Sequence, residues 1–169
     1  MHVADIGSGS GFYVLAAARA VGESGRVYAI DIQKELPARV KNLAEKEGFF
    51  NVEALWADVE VLGGTRLGDA SVHAVIASNI FFQIEDKKNL IAEIKRILKL
   101  GGRALVIDWT DSFGGLGPEK EAVVNKETIE KLFADAGFSK EKEIKAGEHH
   151  FGVVFTKKDL KANVLSKQQ

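Results

Sequence analysis

Short apolar runs and helical repeats alternate along this chain, and that alternation restricts its fold more than any other feature. The runs at 3–6, 26–31, 51–57, 71–78 and 103–108 have strand length and are bounded by turn-forming or polar residues. Between them lie segments with apolar residues at helical spacing. Phe12 to Val21 is alanine-rich and closed by Gly22. Residues 34–47 place Leu36, Val40, Leu43 and Ala44 on one face before Gly48. Pro37 suits that helix only in its first turn, where the N–H it lacks would have no helical partner. Over 86–99, Leu90, Ile91, Ile94, Ile97 and Leu98 share a face, and Gly101 and Gly102 are expected to end the helix. Residues 59–70 and 111–120 read as glycine-bearing loops, 126–136 as a last helix before Gly137, and 139–157 as a strand pair. Such alternation predicts an α/β fold, a parallel sheet with helices on both faces and right-handed crossovers. The expected organisation is one domain over 1–157 and a polar tail over 158–169.

Composition removes several classes. The chain has no cysteine, which excludes disulfides, thiolate metal sites and cysteine nucleophiles. No metal-ligand spacing stands out. The formal net charge of -1 and the lack of a basic patch give no nucleic-acid footprint. No apolar run approaches the ~20 residues of a membrane span, and no signal peptide is visible, so the expected location is cytoplasmic.

In sheets of this kind, ligands bind beyond the carboxyl ends of the strands, where strand order reverses. Asp5, Asp31, Asp58, Ser78 and Asp108 all fall at that edge. The turn after the first strand, "DIGSGSG", has glycines at 7, 9 and 11. A dinucleotide turn in the spacing G-x-G-x-x-G would place its last glycine at 12, which is Phe12, and the Lys-Ser/Thr ending of a P-loop is absent. Asp5 would repel a pyrophosphate and attract a cation. Asp31 is placed to accept from a ribose, and Asp58 from an exocyclic amine. The set asks for a ligand with a ribose, an amine-bearing base and a positive amino-acid portion. S-adenosylmethionine meets these requirements.

The ordered stretches "VADIGSGSG", "VYAID", "WADV", "SNIFFQIEDKKNLIAEIKRILKLGGRALVID" and "LFADAGF" resemble the class I S-adenosylmethionine-dependent methyltransferases over residues 3–157. The small-molecule enzymes of quinone biosynthesis are the nearest subgroup in pattern. Arsenite methyltransferases share the "SN", but their chemistry uses cysteines. The resemblance implies a three-layer Rossmann-like sandwich with a seven-stranded sheet of order 3-2-1-4-5-7-6 and strand 7 antiparallel. It implies that Asp5, Gly7, Ser8, Gly9, Ser10 and Gly11 hold the methionine portion and that Asp31 takes the ribose. Ile32, Ala57, Asp58 and Val59 would surround the adenine, and Ser78 and Asn79 would meet the ligand amine. S-adenosylhomocysteine would be the product, and a small molecule the methyl acceptor.

Structural readings stand beside these. The glycines could serve only a tight turn, Asp31 and Asp58 could cap or turn the backbone, and Asn79 could cap a short turn. One of Phe81 and Phe82 should be core, and His73 should be structural at the opposite edge. By position, Asp108, Asp111, His149 and His150 are the candidate bases. A non-catalytic cofactor-binding subunit and, more weakly, a nicotinamide-dependent oxidoreductase are the alternatives. The first strand follows only Met1 and His2. The cofactor face should therefore be open, and a second subunit is one candidate to cover it.

Overall fold

A computed structural model describes residues 1–159. Of the expected tail, residues 160–169 lie outside the described region. The elements are β1 (His2–Ile6), α1 (Phe12–Val21), β2 (Arg26–Asp31), α2 (Glu35–Lys46), β3 (Val52–Trp56), β4 (Val72–Ser78), α3 (Lys87–Ile97), β5 (Leu98–Trp109), α4 (Lys126–Asp135), β6 (Phe138–Lys145) and β7 (His150–Lys157). They form one seven-stranded sheet of order β3-β2-β1-β4-β5-β7-β6, as expected. The strands from β3 to β5 are parallel, and β7 runs antiparallel to both β5 and β6. Among the described residues, no helix is long and apolar enough to cross a membrane.

Alternation along each strand feeds two cores. Val3, Val27, Ala29 and Val52 pack with Val14 and Ala18 of α1 and Val40 and Ala44 of α2. On the other face, Ala4, Ile6, Val75, Ala77, Val106 and Phe155 pack with Leu90, Ile94 and Ile97 of α3 and Ile129 and Phe133 of α4. Phe133 stacks on Phe155 at 4.2 Å. Pro37 sits in the first turn of α2 and is buried. Two helix starts are capped by side chains, Asp86 accepting from the Asn89 amide and Asn125 from the Thr128 amide. At the amino edge, His73 Nδ1 accepts from the His2 amide at 2.9 Å, in keeping with a structural role.

The segment joining α3 to β5 departs from expectation. The helix stops at Ile97, and β5 begins at once with Leu98, paired to Val72. Pairing resumes at Ala74 with Arg103, so residues 99–102 bulge out of the ladder. Gly101 holds φ at 72° within the bulge. Burial of the Leu98 side chain against the sheet ends the helix before the glycines can.

The loop between β3 and β4 is held by a buried ion. Glu93 of α3 is fully buried. It accepts from the Gly63 amide at 2.7 Å, from the Thr65 amide and hydroxyl at 3.2 and 2.5 Å, and from Arg96 twice at 2.8 Å. Burial alone would raise its carboxyl pKa, but the donors from Arg96, Thr65 and Gly63 outweigh it and hold the value at about 2. Arg96 continues to Asp69 at 2.6 Å. Glu93→Gln should destabilise the protein by about 3 kcal/mol in urea unfolding. A carboxyl pKa depressed on folding stabilises above its unfolded value. The Glu93 contribution should therefore be complete above about pH 4.5 and be lost as pH falls towards about 2.

Candidate functional site

The strand order reverses between β1 and β4, and a pocket of about 500 Å³ opens beyond their carboxyl ends. Its wall holds Asp5, Gly7, Ser8, Gly9, Ser10, Asp31, Ile32, Asp58, Val59, Ser78 and Asn79, all expected from sequence. Gly11 and Ala57 are not on the wall. Gly11 lies under α2, where a Cβ would come within 2.7 Å of Val40, so helix packing requires glycine there. Ala57 is buried in the sheet-side core.

The other two glycines differ in kind. Gly7 takes φ +70°, and a Cβ would lie 2.7 Å from Ile80 Cδ1, so the turn after β4 packs against it. Gly9 takes φ +49° and its Cβ would meet nothing closer than 3.9 Å, leaving open space at the pocket. The amides of Gly7 and Ser8 both donate to Ile30 O at 2.9 Å, and the Gly9 amide donates to Asp31 Oδ2 at 3.0 Å. The second Asp31 oxygen accepts from the Gln33 amide.

Asp5 is the electrostatic centre. It is 2 % exposed, and among the described residues no hydrogen bond steadies its charge. Burial, and then the nearby Asp31 carboxylate, push its pKa up to about 7. The Ser8 and Ser78 hydroxyls, also on the wall, are buried without partners among the described residues. Asp58 turns the backbone by accepting from the Glu60 amide, and Glu60 in turn accepts from the Asp86 amide. Asn79 adopts φ 54°, and its carbonyl accepts from Gln83.

The wall also contains residues that sequence reasoning did not single out, among them Tyr13, Leu36, Ile80, Gln83 and Ile84. The last three come from the aperiodic turn after β4. Position immediately beyond a strand at the reversal point was the available signal. None of the candidate bases lines this pocket. Asp108 is 1 % exposed, and its two oxygens accept from the Phe81 and Trp109 amides, so it ties the turn after β4 to β5. Burial raises its pKa against those bonds. His150 packs on Trp109 at 4.1 Å, with Nε2 buried and without a partner among the described residues. His149 pairs with Asp111 at the same sheet edge. Phe81 is core, whereas Trp56 is half exposed and donates to Ile32 O.

A family model described as a methyltransferase domain matches residues 1–163. The chain belongs to this family. Its fold superposes on a SAM (S-adenosylmethionine)-dependent methyltransferase from Aquifex aeolicus with a TM-score of 0.83 and 30% identity, covering 92% of this chain and 81% of that one. The arsenite methyltransferase of Aquipseudomonas alcaligenes is 33% identical over 111 residues, 63% of this chain and 32% of its own length. The ubiquinone/menaquinone biosynthesis C-methyltransferase of Klebsiella pneumoniae is 29% identical over 109 residues, 64% of this chain and 42% of its own. This chain thus matches about a third to two fifths of the length of these two curated relatives.

The raised Asp5 pKa carries a stability consequence. Between about pH 4 and pH 7 the folded protein holds a proton that the unfolded chain releases, so stability should fall as pH rises through that window. The full effect is on the order of 4 kcal/mol. Asp5→Asn should flatten this dependence and stabilise the ligand-free protein above pH 7 by on the order of 1–3 kcal/mol, read by thermal melts across pH.

Proposed function

We propose that this domain binds S-adenosylmethionine in the β1–β4 pocket and transfers its methyl group to a small-molecule acceptor. One observation carries the reading: Asp5, a buried carboxylate with no donor among the described residues, stands on the pocket wall with Asp31 beside it. A ligand bringing an ammonium supplies what Asp5 lacks, and a pair of hydroxyls on it would add to the two amides that Asp31 already accepts. Asp5, Ser8, Ser10 and the open position at Gly9 would hold the methionine portion. Asp31 would accept from the ribose, Ile32, Asp58 and Val59 would border the adenine, and Ser78 and Asn79 would lie near the amine. The bound group supplies a methyl already activated on a sulfonium. The protein therefore has chiefly to bind, to orient and to exclude water.

The oxyanion-rich alternative, a nicotinamide dinucleotide, is disfavoured by the same wall. The Gly7, Ser8 and Gly9 amides donate to Ile30 and Asp31, and the acids Asp5, Asp31, Asp58 and Glu60 line the pocket. Arsenite is disfavoured as acceptor by the lack of cysteine. The reading includes a cytoplasmic protein that does not act on nucleic acid. It also includes a second copy covering the exposed Phe12 and Ile32 at the pocket rim. Light scattering with and without cofactor checks the last point, and a monomer in both states counts against it.

Thermal shift with S-adenosylmethionine, S-adenosylhomocysteine, NAD and NADP should show stabilisation by the first two only. Asp31→Ala removes charge-assisted hydrogen bonds worth ~1.5–3 kcal/mol, a roughly 10- to 150-fold loss of affinity by titration calorimetry. Unchanged affinity would sink the ribose assignment. Asp5 must ionise to meet an ammonium. In the wild type, affinity should therefore weaken about tenfold per unit as pH drops below about 7, and Asp5→Asn should abolish that slope.

A further inference from the structure

The charges on the pocket wall are of one sign. Asp5, Asp31, Asp58 and Glu60 stand on it, and among its described residues there is no Lys, Arg or His. The lysines nearest to the wall in sequence are engaged beside it. Lys34 lies over the Trp56 ring at 5.3 Å, and Lys87 donates to Ile84 O at 2.6 Å. Backbone amides meet part of the negative charge. Asp31 accepts from two of them, and Asp58 and Glu60 from one each. Beyond the residues assigned above to the cofactor, the wall is neutral apart from Glu60. It presents Phe12, Tyr13, Leu36 and Ile84, with the amide of Gln83 held across the turn by its bond to Asn79 O at 3.1 Å. Phe12 is 75 % exposed and meets Tyr13 edge to face at 5.1 Å, so aromatic rings stand at the mouth. Such a surface suits a compact, mostly apolar molecule.

This wall restricts the nucleophile. A phenolate or a carboxylate would meet four acids and no cation. A hydroxyl would have to lose its proton, and Asp108, Asp111, His149 and His150 are all off the wall. Asp5 and Asp31 are already engaged by the cofactor in the reading above, and an ordinary carboxylate is a weak base for a hydroxyl proton. An aliphatic amine holds its proton at neutral pH, and neighbouring acids hold it there more firmly. A pyridine-type nitrogen is far less basic and keeps its lone pair available. It needs no base.

We propose that the methyl acceptor is a mostly apolar molecule presenting a neutral, pyridine-type ring nitrogen, and that the acid-lined wall holds the cation it becomes. The proposal rests on the methyltransferase reading above. The nitrogen lone pair bonds the methyl carbon as the carbon–sulfur bond breaks with its pair returning to sulfur. Positive charge passes from sulfur to nitrogen, and no proton moves. The acids therefore face a cation before and after the step, whereas an anionic acceptor would leave them facing two neutral products.

Isoquinoline, 2-naphthol and 2-naphthoate share one bicyclic shape and differ in the reacting group. In mildly alkaline buffer, the full chain loaded with S-adenosylhomocysteine should bind isoquinoline at least about tenfold more tightly than 2-naphthoate by calorimetry. With S-adenosylmethionine, mass spectrometry should show N-methylisoquinolinium and no methyl ether of 2-naphthol. Gln83→Lys places a cation on the wall. It should tighten 2-naphthoate and slow isoquinoline methylation, each about fivefold or more, and Gln83→Met, which removes the amide without adding charge, should do neither. No binding or no product with isoquinoline, 2-naphthoate bound as tightly, the naphthyl ether as product, or equal effects of the two variants would overturn the proposal. Calorimetry with the cofactor alone separates the two levels. A wild type that fails to bind S-adenosylmethionine defeats the pocket reading itself, whereas intact cofactor binding with any of those results defeats only the acceptor class.

Discussion

The reversal of strand order at β1 is the constraint on which the site depends. From β1 the chain builds outward through β2 to β3, then returns to lay β4 on the other side of β1. The helix after β1 lies on one face and the helix after β4 on the other, as the two separate cores show. Their departure in opposite directions leaves a crevice over the carboxyl ends of β1 and β4 that no backbone fills. The wall of the crevice is then supplied by strand ends and the turns just beyond them. That is why a buried strand can present a carboxylate, Asp5, to a ligand.

Asp5 and Glu93 show how the surroundings decide what a buried acid does. Both are almost completely removed from solvent. Glu93 receives donors from Gly63, Thr65 and Arg96, and its pKa falls to about 2. Asp5 has a second carboxylate nearby and no donor among the described residues, and its pKa rises to about 7. The first arrangement stabilises the fold; the second destabilises it until a cation arrives. The two are connected. The loop pinned by Glu93 follows directly from Asp58, Val59 and Glu60 on the pocket wall. The stable acid thus holds in place part of the wall around the strained one.

Much of this was legible before any coordinates. Helices and strands announced themselves because each has one buried face, and a two- or 3.6-residue period follows from that. Asp5 and Asp31 were legible as wall residues because each ends an apolar strand at the edge where strand order reverses, beside the glycine turn. The bulge at 99–102 was not, because Gly101 and Gly102 also read as a helix stop, and only the pairing of Leu98 with Val72 distinguishes the two. Glu93 was hidden because one acid on an amphipathic helix, three residues before an arginine, looks like its solvent face, and the loop partners that bury it, Gly63 and Thr65, lie about 30 residues upstream. Asp108 read as an edge acid but is consumed by backbone amides from the neighbouring turn. In each miss, the deciding partner lay far away in sequence.

Glycine spacing alone is a poor guide to what the first turn binds, and the fate of its donors is a better one. A turn that cradles phosphate must aim several free amides at the ligand. Here two of them donate together to one carbonyl of β2, and a third donates to Asp31. Of the three glycines, Gly11 serves α1–α2 packing, Gly7 serves the turn after β4, and only Gly9 leaves space on the pocket side. The turn thus offers a ligand shape and the negative charge of Asp5, with few of the donors an anion would need. On the proposed reading, it is this combination, more than the glycines themselves, that favours a cationic partner.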